Sequence, residues 1–215
     1  MEILHSPIYS LDGVYSTNND FILSFLIYFK AKQNSIFDLF TLFHSMQIKP
    51  YLEENIDDLV AIARKSYLEH YTYLWDDEGA KYVALNFNAA RLSEEIAQPN
   101  SSFYLLYFQE KLVGFLKLNI DSGLKNYSAL DALELERIYF VKDATGKGLG
   151  KIIIDFVIVL ANKRDKKIVW LKAMNSSRSV DFYKKHHFIV VDEMDLNFEH
   201  MKDEFRKILT MSREI

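Results

Sequence analysis

The 215-residue chain contains no cysteine, only three prolines and only seven glycines. The missing cysteines remove disulfides, cysteine-ligated zinc and thiol nucleophiles together, and suit a reducing cytoplasm. Average usage would supply roughly 15 glycines and about 11 prolines. Long apolar runs are lacking too: none approaches the roughly 20 residues that cross a bilayer. The best candidate, residues 21–29, is followed by Lys30 and Lys32 and has no basic lead-in or small-residue cleavage site, so neither a membrane span nor a signal peptide is expected. Positive charge is not in excess. A formal net charge of −4 argues against a nucleic-acid partner, yet permits a local basic site for an anion. With 49% hydrophobic and 26% charged residues, the composition is that of a folded globular chain.

The chain divides at Met46. Residues 1–45 hold nine aromatic residues and only two basic ones, with poor periodicity and a Ser/Asn-rich stretch that reads as loop. Two readings stand side by side. Either Met46 is the natural start and 1–45 an over-long extension, or 1–45 is a helical appendage to a domain spanning 46–215. From Met46 the pattern is legible. A short strand opens at Met46. Helical spacing of Ile56, Leu59, Val60, Ala63 and Tyr67 predicts a helix over 53–70. A second helix is expected over 82–96, ended by Pro99. Two aromatic and β-branched runs, 102–109 and 112–120, predict a hairpin, and 133–141 a further strand. The Ile- and Val-rich stretch 151–164 has β propensity, but its length and glycine-turn start favour a buried helix. A strand over 168–173, a short helix over 177–186 capped by Asn175 or Ser176, and two last strands complete an α/β fold with a mixed sheet.

Three of the seven glycines, Gly146, Gly148 and Gly150, fall within five residues, between a strand and a helix. A turn at a helix N-terminus presents free N–H groups and the positive end of the dipole. It is therefore an anion site for which phosphate is the usual guest, and Lys147 and Lys151 add positive charge. The Walker spacing is absent, and Gly-x-Gly-x-Gly is not the dinucleotide fingerprint. No His/Asp/Glu set has metal-binding spacing, and no Gly-x-Ser-x-Gly elbow is present. An acidic run, Asp76, Asp77 and Glu78, lies beside Tyr71, Tyr73 and Trp75; such a surface suits a cationic amine, or is simply a solvated loop.

Three segments in order resemble the GCN5-related N-acetyltransferase superfamily. They are Leu133-Glu-Leu-Glu-Arg-Ile-Tyr-Phe-Val141, the glycine turn with Gly148-Leu149-Gly150, and Asn175 followed by Asp181-Phe-Tyr-Lys-Lys185 and Phe188. The resemblance covers roughly residues 46–211 and is most like bacterial polyamine N-acetyltransferases. It implies a central mixed sheet of six to seven strands flanked by about four helices. It also implies acetyl-CoA as co-substrate, no metal, and a small cationic amine acceptor such as a polyamine. The pyrophosphate would lie on Thr145, Gly146, Lys147, Gly148, Gly150 and Lys151. The pantetheine arm would run along Ile138, Tyr139 and Phe140, with Asn175 bonding to it, and an N–H near Ile138 or Tyr139 would serve the oxyanion. Tyr183 matches the family's general acid; the alternative for it is a packed core tyrosine. Glu136 is the preferred base, with Glu134 beside it on one strand face; the alternative for Glu136 is a salt bridge with a neighbouring cation. His186 and His187 are expected to be structural. The resemblance leaves open a protein N-terminus or an antibiotic as acceptor, a non-catalytic CoA-binding regulatory module, and a homodimer. Two departures stand out: Thr145 replaces the usual Gln or Arg, and His187 replaces the usual Gly before Phe188.

Overall fold

Alternating strands and helices from Met46 onward build one mixed sheet in a computed structural model that describes residues 46–52 and 56–215. Both readings of residues 1–45 lie outside the described residues. The elements are β1 (Met46–Pro50), α1 (Ile56–Tyr71), α2 (Ala80–Asn86), α3 (Ala89–Ile96), β2 (Ser101–Phe108), β3 (Lys111–Asn119), β4 (Ala132–Phe140), α4 (Leu149–Lys163), β5 (Ile168–Met174), α5 (Ser179–Lys185), β6 (Ile189–Asp195) and β7 (Lys207–Glu214). The seven strands lie in the order β1-β2-β3-β4-β5-β7-β6. β4 and β5 pair in parallel and the other neighbours antiparallel.

Among the described residues five α-helices flank the sheet rather than about four, because residues 80–96 form two helices. α2 stops at Phe87, and Asn88 starts α3 by accepting the Arg91 amide on its side chain at 2.9 Å. The Asn88 cap satisfies one of the unpaired amides of a new helix. α1–α3 cover one face of the sheet, where the ring of Phe87 meets Phe115 of β3. α4 covers the other, where Phe156 meets Tyr104 of β2, the partner of Leu116. Despite its isoleucines and valines, 149–163 is helical. Eleven of its fifteen residues are buried, so tertiary packing overrides β propensity.

Two irregularities in β4 shape everything downstream. First, Lys117 pairs with Arg137 but Leu118 with Leu135, so Glu136 is an extra residue bulged out of the ladder. A bulge re-aims side chains and bends the strand. It also explains why apolar alternation in 133–141 is untidy. Second, the parallel pairing with β5 runs only from Ala132–Ile168 to Leu135–Leu171, although both strands continue. Beyond Leu135 the two strands splay apart.

Gly114 of β3 stands opposite Phe140 at that bent end of β4. A Cβ on Gly114 would lie 2.2 Å from the Tyr139 carbonyl oxygen, an approach that only backbone displacement relieves. Gly114→Ala is therefore expected to cost about 3 kcal/mol and to lower Tm by about 6–10 °C in a chain of this size. Thermal unfolding followed by circular dichroism measures it, and an unchanged Tm would remove close approach as the reason for glycine here.

Candidate active site

The splay between β4 and β5 opens a cleft of about 260 Å³. One side is β4 from Glu134 to Tyr139, the other is β5 from Lys172 to Met174 with Ser179 and Tyr183 of α5. Tyr67 and Tyr71 of α1 close it from above, with Trp75 and Tyr82 behind them. Past Leu135, β4 has no strand partner on this side, so its outward backbone groups face the cleft. Ile138 and Tyr139 both line it. Phe140 is fixed at its carbonyl, which accepts from His70 Nε2 at 3.1 Å.

The glycine turn follows directly. A short 3₁₀ turn, residues 142–144, starts with the Lys142 amide donating to the Glu69 carboxylate at 2.5 Å. Gly146 and Gly148 have φ of 74° and 78°, with open space where a Cβ would stand. Their glycines serve backbone conformation. Gly150 has a different reason: a Cβ there would press on the Phe182 ring of α5 at 3.0 Å. The amides of Gly146 to Gly150 make no backbone hydrogen bond among the described residues. They crowd the N-terminus of the fifteen-residue α4, and such a cradle fits a pyrophosphate. Thr145 closes the turn instead of offering its proton, since its hydroxyl donates to the Lys142 carbonyl at 2.7 Å. Lys147 leans over the Phe108 ring and Lys151 pairs with buried Asp155 at 2.7 Å.

Tyr183 is only 7% exposed, yet its hydroxyl has no hydrogen-bond partner among the described residues and its side chain lines the cleft. Burial, with Tyr71 beside it, pushes the phenol well above its usual value. Burial likewise pushes Tyr71 up to about 12, and raises Tyr139. These phenols hold their protons at neutral pH. His187 adopts the left-handed φ of 67° expected for it, which lets the Phe188 amide close back on the Tyr183 carbonyl at 3.1 Å. Asn175 does not cap α5, contrary to expectation. Arg178 holds the cap position without a side-chain cap bond, and the Ser177 hydroxyl just before it accepts the Ser179 amide at 3.2 Å. Asn175 sits exposed at the end of β5, its amide bonded to the Lys207 carbonyl.

Glu134 and Glu136 do share one face, joined by the Asn119 side-chain amide, which donates to Glu134 at 2.8 Å and to Glu136 at 2.7 Å. Glu136 also meets Lys117 at 2.7 Å and Arg137 at 3.3 Å. Beneath them lies a residue that sequence reasoning missed. Glu95 of α3 is 5% exposed, forks onto Arg137 at 2.8 and 3.1 Å, and bonds Lys117 at 2.8 Å. Burial alone would raise its carboxyl, but Arg137 and Lys117 outweigh it and hold it below the usual value. The acidic run is elsewhere employed: Asp77 starts α2 by accepting the Gly79 and Lys81 amides.

A splayed parallel pair followed by an anion-cradling turn is the architecture of an acyl-CoA-dependent transferase. The family model described as "Acetyltransferase (GNAT) family" matches residues 56–188, more than half of the chain. The chain belongs to that family, and is an acetyl-CoA-dependent N-acetyltransferase in class. It is 28% identical over 158 residues to an uncharacterised N-acetyltransferase encoded in the pepI 3′ region of Lactobacillus delbrueckii subsp. lactis, covering 68% of this chain and 90% of that one. Among solved structures it is similar to the PaiA N-acetyltransferase of Thermoplasma acidophilum in complex with coenzyme A. The TM-score is 0.64 at 20% identity, over 80% of this chain and 99% of that one. A mutant spermidine N-acetyltransferase of Vibrio cholerae gives a TM-score of 0.58 at 11% identity, over 80% and 94%. Likeness at such identity speaks for the fold alone.

Two outcomes test this site. Glu95→Ala leaves buried Lys117 and Arg137 with Glu136 as their remaining anion and should cost about 3 kcal/mol. Because the folded-state carboxyl is depressed, its contribution is present above the ordinary value of 4.5 and is lost as pH falls through the folded value. Acid titration of stability should therefore be flatter in the variant; an identical acid limb would dissociate Glu95 from the effect. Gly148→Val meets a backbone φ of 78° that disfavours β-branched residues by about 1–2 kcal/mol. It should weaken acetyl-CoA binding at least about tenfold by calorimetry, and retained affinity would refute the turn as the phosphate cradle.

Proposed function

We propose that the protein transfers the acetyl group of acetyl-CoA to the primary amine of a small cationic acceptor, by direct attack within a ternary complex. The observation that carries this reading is the Tyr183 side chain, largely buried and protonated, with its unpartnered hydroxyl at the splay where a thioester would lie. The amides of the glycine turn would hold the pyrophosphate, with Lys147 and Lys151 nearby. A β4 amide near Ile138 or Tyr139 would donate to the oxyanion as it forms. The amine nitrogen attacks the thioester carbonyl, the carbon–sulfur bond breaks, and Tyr183 gives its proton to the departing thiolate. Glu136, through a water, would take the proton that the amine sheds. Its ion pairs with Lys117 and Arg137 fix the carboxylate in place. Asn175 would reach the pantetheine arm from the end of β5.

The polyamine is the acceptor suggested by the subfamily resemblance, and a spermidine N-acetyltransferase shares the fold. Cytoplasmic location is consistent with the absence of cysteine.

Thiol release with acetyl-CoA across an amine panel tests the reading. Turnover with at least one amine is expected; none, despite CoA binding, would favour a regulatory CoA-binding module. Tyr183→Phe should lower kcat by about 10²–10⁴-fold with acetyl-CoA affinity kept. An unchanged kcat would remove Tyr183 as the acid.

A further inference from the structure

Four charged side chains line the cleft: Glu134, Glu136, Arg137 and Lys172. Glu136 and Arg137 neutralise each other and are locked to Lys117 and Glu95. Glu134 is in a different position. Its carboxylate accepts from Asn119 at 2.8 Å and from the Ser122 hydroxyl at 3.0 Å. Both donors are neutral, and no cation reaches it within ion-pair distance among the described residues. Lys172 of β5 is its counterpart. It stands on the same face two residues beyond Trp170, the register partner of Glu134. Its ammonium lies 6.0 Å from the Trp170 ring centre, with no carboxylate partner among the described residues.

The rest of the acceptor side is apolar or aromatic: Tyr71, Trp75, Leu196, Phe198, Met201 and Ile208. Phe198 is 44% exposed at the mouth and packs edge-on to Tyr82. The acidic run at 76–78 is not part of this lining. Asp77 spends its carboxylate on the start of α2, and Glu199, next to Phe198, is paired with Lys81.

The cleft therefore offers one uncompensated anion, one uncompensated cation and an apolar wall. A polyamine would bring two or more ammonium groups to a single carboxylate and would place one of them against Lys172. Like charges held together in a partly dry cleft oppose binding. An amine with one ammonium and an apolar body meets every feature: charge on Glu134, rings and alkyl groups on the wall, and nothing for Lys172 to repel.

We propose that the acceptor is a small monoamine with an apolar or aromatic body, that Glu134 receives its ammonium, and that Lys172 excludes polycations. This inference rests on the acetyl-transfer reading above and narrows its acceptor. Specificity of this kind needs a repulsive element as well as an attractive one, and Lys172 supplies it.

The test compares kcat/KM for phenethylamine and isoamylamine with that for spermidine and putrescine, using full-length protein, acetyl-CoA and thiol release. Wild type should favour the monoamines by about tenfold or more, a difference of about 1.4 kcal/mol. Lys172→Glu, at an exposed position, should shift the ratio toward spermidine by about tenfold while leaving acetyl-CoA KM unchanged. Phe198→Ala should lower kcat/KM for phenethylamine and spare that for putrescine. Spermidine preferred by wild type, or a ratio unmoved by Lys172→Glu, would overturn the proposal. Turnover of no amine with CoA binding intact would instead remove acetyl transfer itself, and this inference with it.

Discussion

The parallel ladder between β4 and β5 ends at Leu135 and Leu171, and the rest of the site depends on that end. Had the pairing continued, the backbone of residues 136–140 would be spent on sheet hydrogen bonds and no cleft would exist. The bulge at Glu136 helps to enforce the parting, because an extra residue increases local twist and bends the strand. The same bulge sets two consecutive side chains, Glu136 and Arg137, among the cluster built on Glu95 and Lys117. One distortion thus opens the cavity, exposes backbone donors and assembles the charges beside them.

Scarce glycine is placed where the backbone has no alternative. Gly114 admits β3 against the bent end of β4, and Gly150 admits the Phe182 ring beside α4. Gly146 and Gly148 supply two left-handed residues in a row of five, so that amides point outward from a helix start. The segment between is fastened from α1: Glu69 takes the Lys142 amide and His70 donates to the Phe140 carbonyl. α1 also carries Tyr67 and Tyr71 into the cleft. The glycine turn and the aromatic wall of the cleft therefore hang from the same final turns of one helix.

Local patterns made much of this legible. The hairpin of β2 and β3, the helix at 149–163 and the glycine turn follow from alternation, length and punctuation. The left-handed His187 agrees with its standing where the family has glycine before Phe188. Other features needed the fold. The break between α2 and α3 had a signal in Asn88, a good cap, but the apolar spacing across it hid the break. Asn175 looked like a cap, yet Ser177 lies nearer the first amides of α5. Glu95 carried only an ordinary local mark, its pair with Arg91 one turn earlier, because its buried partners are 22 and 42 residues away. The bulge was visible only as untidy alternation around Glu136, whose meaning depends on the β3 register. Tertiary ion pairs and ladder slips are decided by residues far apart in the chain, which periodicity cannot see.

The tyrosines of the cleft fix the direction in which protons move. Tyr67, Tyr71, Tyr82, Tyr139 and Tyr183 are all raised above the usual phenol value, chiefly by burial. None ionises near neutral pH, so none takes a proton from an amine. In the proposed mechanism, removal of that proton falls to a carboxylate of β4, whereas donation to a leaving thiolate falls to a phenol. Environments that separate acid from base in this way allow both functions at one pH. Tyr183 alone among these rings stands on α5, across the splay from the carboxylates. The proposed chemistry is therefore polarised across the cleft, from β4, which would accept the proton, to α5, which would return one. A reaction that needs both in a single turnover must place its reacting carbon between them, at the parting of β4 and β5.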